Sequence, residues 1–300
     1  MSIEKKSVGP LVLEPVQSER IWGVTSLEPW FDKSNLPEPV GEMWLTAENC
    51  KIASGPLQGK TLQDASPDFP LLMKILFPAD KLSVQVHPDD AQAQAIGEPR
   101  GKTECWYVLS ADPGATVAIG FREDLSVEDV RRAIENGTLE DKMAHLPVKA
   151  GDMVFVDAGT VHAIGPGVII LETQEYSDIT YRLFDYGRPR ELHLEKGLAV
   201  TRTKTAAGLV KPREVEGHTE LIRSNYFVVD RLDMLAERSI DLGHKDKLQI
   251  LVALAEGCTL IAEDGTATVL PKSHAVVLPA EGIGYSILGG HEAEVIRIRP

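Results

Sequence analysis

The sequence predicts a mainly β protein made of two related β-barrels, with a short helical insertion in the first. Three observations carry this reading. Short β-branched or aromatic runs recur along the chain, among them DKLSVQVHP, TECWYVLS, ATVAIGF, DMVFVDAG, GVIILETQ and DITYRLFDYG, with Gly, Pro and Asp between them. Such spacing suits a sandwich or barrel better than alternating β-α units. From about Tyr226 to Pro300 the rhythm returns: GCTLIAEDGTATVLPKSHAVVLPAEGIGYSI pairs strands around a tight Asp264-Gly265 turn, much as GDMVFVDAGTVHAI does earlier. Helical signals interrupt the strands in one place. Ser126 to Asp129 reads as a capping box, with Val127, Val130 and Ile134 on one face and Gly137 as the stop. Thr138 opens a second short helix expected to end before Pro147. The expected division is a barrel over 1–210, with its insertion at about 123–146, and a second barrel over 211–300. The stretch 188–225 reads as charged and loop-like.

Composition narrows the function. Forty-three per cent hydrophobic residues in 300 provide ample core. A net charge of -14 argues against nucleic acid, which is held mainly by Lys and Arg, but allows a small anion in a local cationic pocket. No run approaches the roughly 20 apolar residues of a membrane span, and the MSIEKKSVGPLVLEP start lacks the apolar core of a secretory signal. Cys50, Cys105 and Cys258 are scattered, as in a reducing cytoplasm, and read as small buried hydrophobes. A cytoplasmic location is expected, with no nucleic-acid or membrane partner. Monomer and homo-oligomer both remain open.

Strand parity then groups the polar residues. In LSVQVHP, Ser83, Gln85 and His87 share one face, while Leu82, Val84 and Val86 point to a core. A polar triplet on an apolar strand needs hydrogen bonds, water or a metal. Lys102, Glu104 and Trp106 share a face by the same rule, and Cys105 points away. His162 follows a glycine turn at the start of a strand, and Asp178, Thr180 and Arg182 share a face. A buried carboxylate such as Glu104 needs a partner. Taken singly, each residue suits an ordinary hydrogen bond or ion pair, Arg182 with Asp178 or Asp185 for example. Their convergence on one predicted barrel points instead to a site.

The motifs also carry a resemblance. The pattern Gly151-x5-Asp157-x-Gly159-x2-His162 resembles the second motif of the cupin superfamily, with Asp157 where proline is usual. SVQVHP, GKTE and AGTVHAIG together resemble the type I mannose-6-phosphate isomerases, which are cupin-fold zinc enzymes. Trp22-Gly23, GEMW at Gly41–Trp44, SVEDVRRAIENGTLE and TYRLFDYGR extend the likeness over most of the chain. The resemblance implies two jelly-roll barrels and one zinc ion held by Gln85, His87, Glu104 and His162. It implies a small phosphorylated sugar at Ser83, Lys102 and Arg182, with Asp178 nearby, and catalytic roles for Arg182, Lys102 and Asp178. The implied reaction interconverts mannose 6-phosphate and fructose 6-phosphate through an enediolate. Two imidazoles, a carboxylate and an amide suit a Lewis-acid metal, although iron or manganese could take the same donors. The proton-transferring base could be Asp178, Glu175, Lys102 or an unligated His87.

Two other readings fit parts of the pattern: an iron cupin dioxygenase and a non-catalytic sugar-phosphate-binding cupin. Further residues read as structural. Trp22 and Trp44 are expected to pack, and Arg188–Glu191 to form a surface turn. His145, His193, His218, His244, His274 and His291 lack partner spacing and are expected in solvent. The second barrel has GIGY where the first has GTVH, so Tyr285 falls near the place of His162 and no metal is expected there.

Overall fold

Residues 8–215, 217–234, 239–243, 245–290 and 293–300 are described by a computed structural model. Four sheets stack in a row, and every ladder between their strands is antiparallel. The outermost is five-stranded, in the order Tyr181–Phe184, Val84–Val86, His162–Ile164, Thr116–Phe121 and Met143–Pro147. A seven-stranded sheet lies against it, in the order Gly208–Val210, Met153–Val156, Glu104–Ala111, Val168–Glu175, Leu71–Leu76, Val40–Trp44 and Val16–Val24. An eight-stranded and then a four-stranded sheet complete the row. The architecture is mainly β, and the cupin expectation holds.

Alternation along the strands explains the stacking. In Glu104–Ala111, Trp106 and Val108 enter the core shared with Val117, Ile119 and Ile164 of the five-stranded sheet. Cys105, Tyr107 and Leu109 face the other way, into a core with Val229, Ile250, Val252, Ile296 and Ile298 of the eight-stranded sheet. That second core joins the two barrels, and each large side chain fully buried in it contributes roughly 1.5–3 kcal/mol. Val12, Leu251, Val276 and Leu278 then meet Leu260, Leu270, Tyr285 and Ile287 of the four-stranded sheet. The first described strand, Leu11–Glu14, pairs with Ala275–Leu278 and so joins the sheet that the C-terminal part builds.

The helical insertion forms where predicted. Ser126 and Asp129 make the reciprocal capping box before Val127–Glu135. Val130 and Ile134 are buried against Val84, Val86 and Leu183 of the five-stranded sheet, whereas Val127 is exposed. The next helix is shorter than expected, Leu139–Lys142. Met143–Pro147 is a strand instead, because it can pair with Thr116–Phe121 at the sheet edge. The stretch 188–225 is more regular than its charge suggested. Leu194–Val200 is a helix that buries Leu198 and Val200, and strands occupy Gly208–Val210, Arg213–Val215 and His218–Arg223.

Candidate metal centre and active-site cavity

The sheets of the first barrel deliver the polar residues to one place. Val84–Val86 is a three-residue strand, with Gln85 turned inward between two buried valines. Leu82, just before the strand, lies inside the barrel rather than with Val84 and Val86. Gln85 pairs in register with His162 on one side and Arg182 on the other. Glu104 comes from the opposing seven-stranded sheet. His162 is positioned by the turn before it. Asp157 accepts from the Thr160 hydroxyl at 2.8 Å and from the Ala206 amide at 3.2 Å, and the Gly159 amide donates to the His87 carbonyl at 2.9 Å. Gly159 has φ of +87°, where a Cβ would also strike the Arg202 side chain at 2.7 Å. Asp157 thus supplies hydrogen bonds at the position that proline occupies in the cupin pattern.

His87, Glu104 and His162 are buried, with one donor atom of each within 4.8 Å of the others. Glu104 Oε2 lies 3.7 Å from His87 Nε2, and Glu104 Oε1 lies 3.4 Å from His162 Nε2. Each imidazole is oriented from behind. His87 Nδ1 donates to the Ile179 carbonyl at 2.7 Å, and His162 Nδ1 donates to the Thr160 carbonyl at 2.9 Å. Carbonyls only accept, so both Nε2 lone pairs are left facing Glu104, the tautomer that a metal requires. Burial, reinforced by Lys102, holds His87 well below the ordinary histidine range, and burial lowers His162 to about 4. Both rings are therefore neutral at pH 7. His87 Nε2 is buried with no hydrogen-bond partner among the described residues, which is costly unless a cation sits beside it, and Glu104 Oε2, which accepts no hydrogen bond, has the Lys102 ammonium 3.3 Å away. The Gln85 amide lies 3.3 Å from His162 Nε2, and a half-turn of that amide would present its oxygen. This donor set fits a divalent ion.

Beside it opens a cavity of about 370 Å³, lined by Ser83, Gln85, Lys102, Asp178, Thr180 and Arg182 from the sequence-predicted set. Arg20, Trp22, Glu42, Lys74, Glu172 and Arg190 also line it. Lys102 Nζ lies 3.3 Å from Glu104. Burial opposes a charged Lys102, but Glu104 and Glu172 outweigh it and keep the ammonium protonated. Burial likewise works against Asp178, and the Lys74 and Lys102 ammonium groups overcome it and lower the carboxyl below its usual range. Arg182 Nη1 donates to the Glu191 carbonyl at 2.8 Å. Among the described residues no carboxylate lies within ion-pair distance of Arg182, so neither expected partner, Asp178 nor Asp185, takes it. Lys74 holds Asp178 at 2.6 Å, and Arg188 and Arg190 hold Asp185.

Sequence reasoning missed a row of residues across the floor of the seven-stranded sheet, where Trp44, Lys74, Glu172 and Trp106 are successive cross-strand neighbours. Lys74 lies over the Trp44 ring at 4.5 Å and reaches Glu172 at 3.8 Å. Trp106 Nε1 donates to Glu104 at 3.1 Å and to Glu172 at 3.3 Å. Burial and the neighbouring Glu104 push Glu172 up to about 7. The signal was a charge set directly against apolar neighbours in a strand, Lys74 within LLMKIL and Glu172 after VIIL.

Other expectations change. Glu175 turns away from the cavity and accepts from the Thr103 amide at 2.8 Å. Arg188–Glu191 is not a simple surface turn, because Arg188 and Arg190 fold back onto buried Asp185. Trp22 and Trp44 both pack as expected, and Trp44 also donates to Glu42 at 2.6 Å. His145 is exposed, but three other histidines are partnered. His193 Nδ1 accepts from the Arg182 amide at 3.1 Å, His218 lies 3.5 Å from Asp230, and His274 Nδ1 donates to the Lys272 carbonyl at 2.7 Å. His244 and His291 lie outside the described residues. Tyr285 is buried in the core of the second barrel. Among the described residues no helix is long and apolar enough to cross a membrane.

Known proteins resemble this chain in sequence and in fold. The family profile for the type I phosphomannose isomerase catalytic domain matches residues 11–115. The mannose-6-phosphate isomerase ManA of Bacillus subtilis is 35% identical over 94% of this chain and 96% of its own. The mannose-6-phosphate isomerase of Streptococcus mutans is 39% identical over 73% of this chain and 77% of its own. A crystal structure of the Bacillus subtilis mannose 6-phosphate isomerase superposes with a TM-score of 0.86 at 31% identity, covering 97% of this chain and 99% of that one. A zinc-bound mannose 6-phosphate isomerase shares the fold at a TM-score of 0.78 and 17% identity, covering 97% and 99%. Matches of this identity and extent place the chain in the type I phosphomannose isomerase family.

Proposed function

We propose that this protein interconverts mannose 6-phosphate and fructose 6-phosphate in the cytoplasm, using one zinc ion held by Gln85, His87, Glu104 and His162. The observation that carries the reading is the pair of imidazoles, each fixed from behind so that its free lone pair faces Glu104 beside a cationic cavity. Bound zinc would supply a Lewis acid for the carbonyl and hydroxyl oxygens of an open-chain sugar. The reaction moves a proton between C1 and C2 through an enediolate, and the chain must supply its acceptor and donor. Asp178, kept ionised by Lys74, serves as acceptor, and Lys102 donates a hydrogen bond where negative charge develops. Ser83 and Arg182 bind the substrate, Arg182 taking the phosphate because no carboxylate competes for it.

In this reading the barrel over 1–210 is catalytic and that over 211–300 is a metal-free support. The test is a coupled assay on mannose 6-phosphate with metal-stripped and zinc-restored protein. Fructose 6-phosphate should appear only after restoration. Sugar-phosphate binding without turnover in the zinc form would mean a sensor, and oxygen uptake by an iron-loaded sample would mean a dioxygenase.

A further inference from the structure

Five cations line the cavity, and their partners sort them. Lys102 faces Glu104 at 3.3 Å, and Lys74 faces Asp178 and Glu172 at 2.6 and 3.8 Å, so both ammonium groups at the end nearest the metal donors have carboxylate partners. Arg20 gives two N–H groups to Glu42, at 3.2 and 2.9 Å, and a third to the Glu19 carbonyl. The remaining two are different. Arg182 has no carboxylate partner among the described residues and gives Nη1 to the Glu191 carbonyl. Arg190 presents Nε and Nη2 to Asp185 in a two-pronged pair, 2.7 Å on each prong. Asp185 is also taken by Arg188, at 3.0 and 2.8 Å, so one buried carboxylate serves two guanidiniums. Asp80, which is exposed and accepts from the Lys81 amide at 2.7 Å, lies 3.6 Å from Arg188. Together Arg182, Arg188 and Arg190 keep an excess of positive charge over Asp185 and Asp80. The Arg190 guanidinium is held flat against Asp185, and its remaining edge has no hydrogen-bond partner among the described residues.

We propose that Arg190, braced by Asp185, is the second arm of a two-arginine clamp that, with Arg182, grips the phosphate monoester of the substrate. The inference rests on the isomerase reading and deepens it. It also sets the substrate's direction, with the reacting carbons toward Lys102 and the metal donors and the phosphate toward Arg182 and Arg190. A pre-braced guanidinium loses little rotamer freedom on binding, and its fork matches phosphate oxygens better than an ammonium does. Because the phosphate is remote from C1 and C2, the clamp acts on ground state and transition state alike.

The test compares Arg190→Ala and Arg190→Lys with the wild type, each zinc-loaded. The readouts are kcat and KM for mannose 6-phosphate and competitive inhibition by inorganic phosphate and by mannitol, a neutral polyol. Loss of a charge-assisted contact should raise both KM and the phosphate inhibition constant at least about tenfold in Arg190→Ala. The same variant should leave kcat within about threefold and mannitol inhibition unchanged. Arg190→Lys should fall between, since it keeps charge but loses the fork. If KM and phosphate inhibition stay within about twofold of wild type, or mannitol inhibition weakens in step with phosphate, the clamp is wrong. Should Arg190→Ala not fold, Arg190→Lys decides alone, and wild-type affinity in it overturns the clamp. Should the wild type not turn over mannose 6-phosphate, the isomerase reading fails by itself. Calorimetric phosphate binding to wild type and Arg190→Lys then still tests the clamp, equal affinities refuting it.

Discussion

Replacing Lys74 by Met tests the buried charge row under the cavity. Lys74 is 2% exposed, 2.6 Å from Asp178, 3.8 Å from Glu172 and 4.5 Å above the Trp44 ring. Removing one partner of a buried ion pair typically costs about 3–5 kcal/mol, because the other is left uncompensated. Two features reduce that here. The Asp178 side chain is 49% exposed, so water can replace part of what the ammonium provided. Glu172, already near 7 through burial and Glu104, can take up a proton rather than remain an unpaired buried charge. The expected net loss is about 2–3 kcal/mol at pH 7, or a Tm lower by roughly 5–10 °C. Thermal unfolding by circular dichroism, with the metal state held fixed, reads this directly. The double variant Lys74→Met/Glu172→Leu should recover at least half, since an apolar pair replaces an ionic one. A loss below about 1 kcal/mol, or a double variant less stable than the single, would refute the reasoning.

Other predictions follow from single contacts. Asp178→Asn should lower kcat by at least about a hundredfold with KM little changed; wild-type turnover in a folded variant would remove Asp178 as the proton acceptor. Gly159→Ala combines a φ of +87° with a Cβ 2.7 Å from Arg202 Cγ and 3.0 Å from the Val200 carbonyl. It should destabilise by about 1–2 kcal/mol and weaken zinc binding through His162; an unchanged metal affinity in a competition titration would show that the turn does not set the ligand. Burial raises Glu175 to about 7, with Asp90 adding to it. A raised carboxyl binds its proton more tightly in the folded state, so its contribution is full below about pH 4.5 and is lost as pH rises through about 7. Glu175→Gln should therefore flatten that decline in urea unfolding measured from pH 5 to 8, and parallel curves for variant and wild type would contradict it.

Alternation made much of the centre legible. Gln85 and His87 stood two apart in an apolar run, Glu104 and Trp106 likewise, and the structure turns each pair inward. The capping box at Ser126 and Asp129 was equally plain, because its reciprocal hydrogen bonds are local. What stayed hidden depends on contacts between residues distant in sequence. Lys74 sits inside an apolar run and Glu172 directly follows one, and the pairing of Leu71–Leu76 with Val168–Glu175 brings them together. Arg188 and Arg190 resemble a solvated turn until Asp185 is seen to be buried beneath them. Met143–Pro147 could have continued a helix and became a strand because a sheet edge was there to pair with.

In the proposed reaction, isomerisation depends on one metal ion held by the convergent donors of His87, Glu104, His162 and Gln85. Stripped protein titrated with zinc, while conversion of mannose 6-phosphate is followed, tests it most directly. Turnover should begin near zero, rise linearly and break at one zinc per chain, with His162→Ala showing neither the break nor the activity. Full turnover before any zinc is added, or stoichiometric binding with no turnover, would rule out a zinc-dependent isomerase.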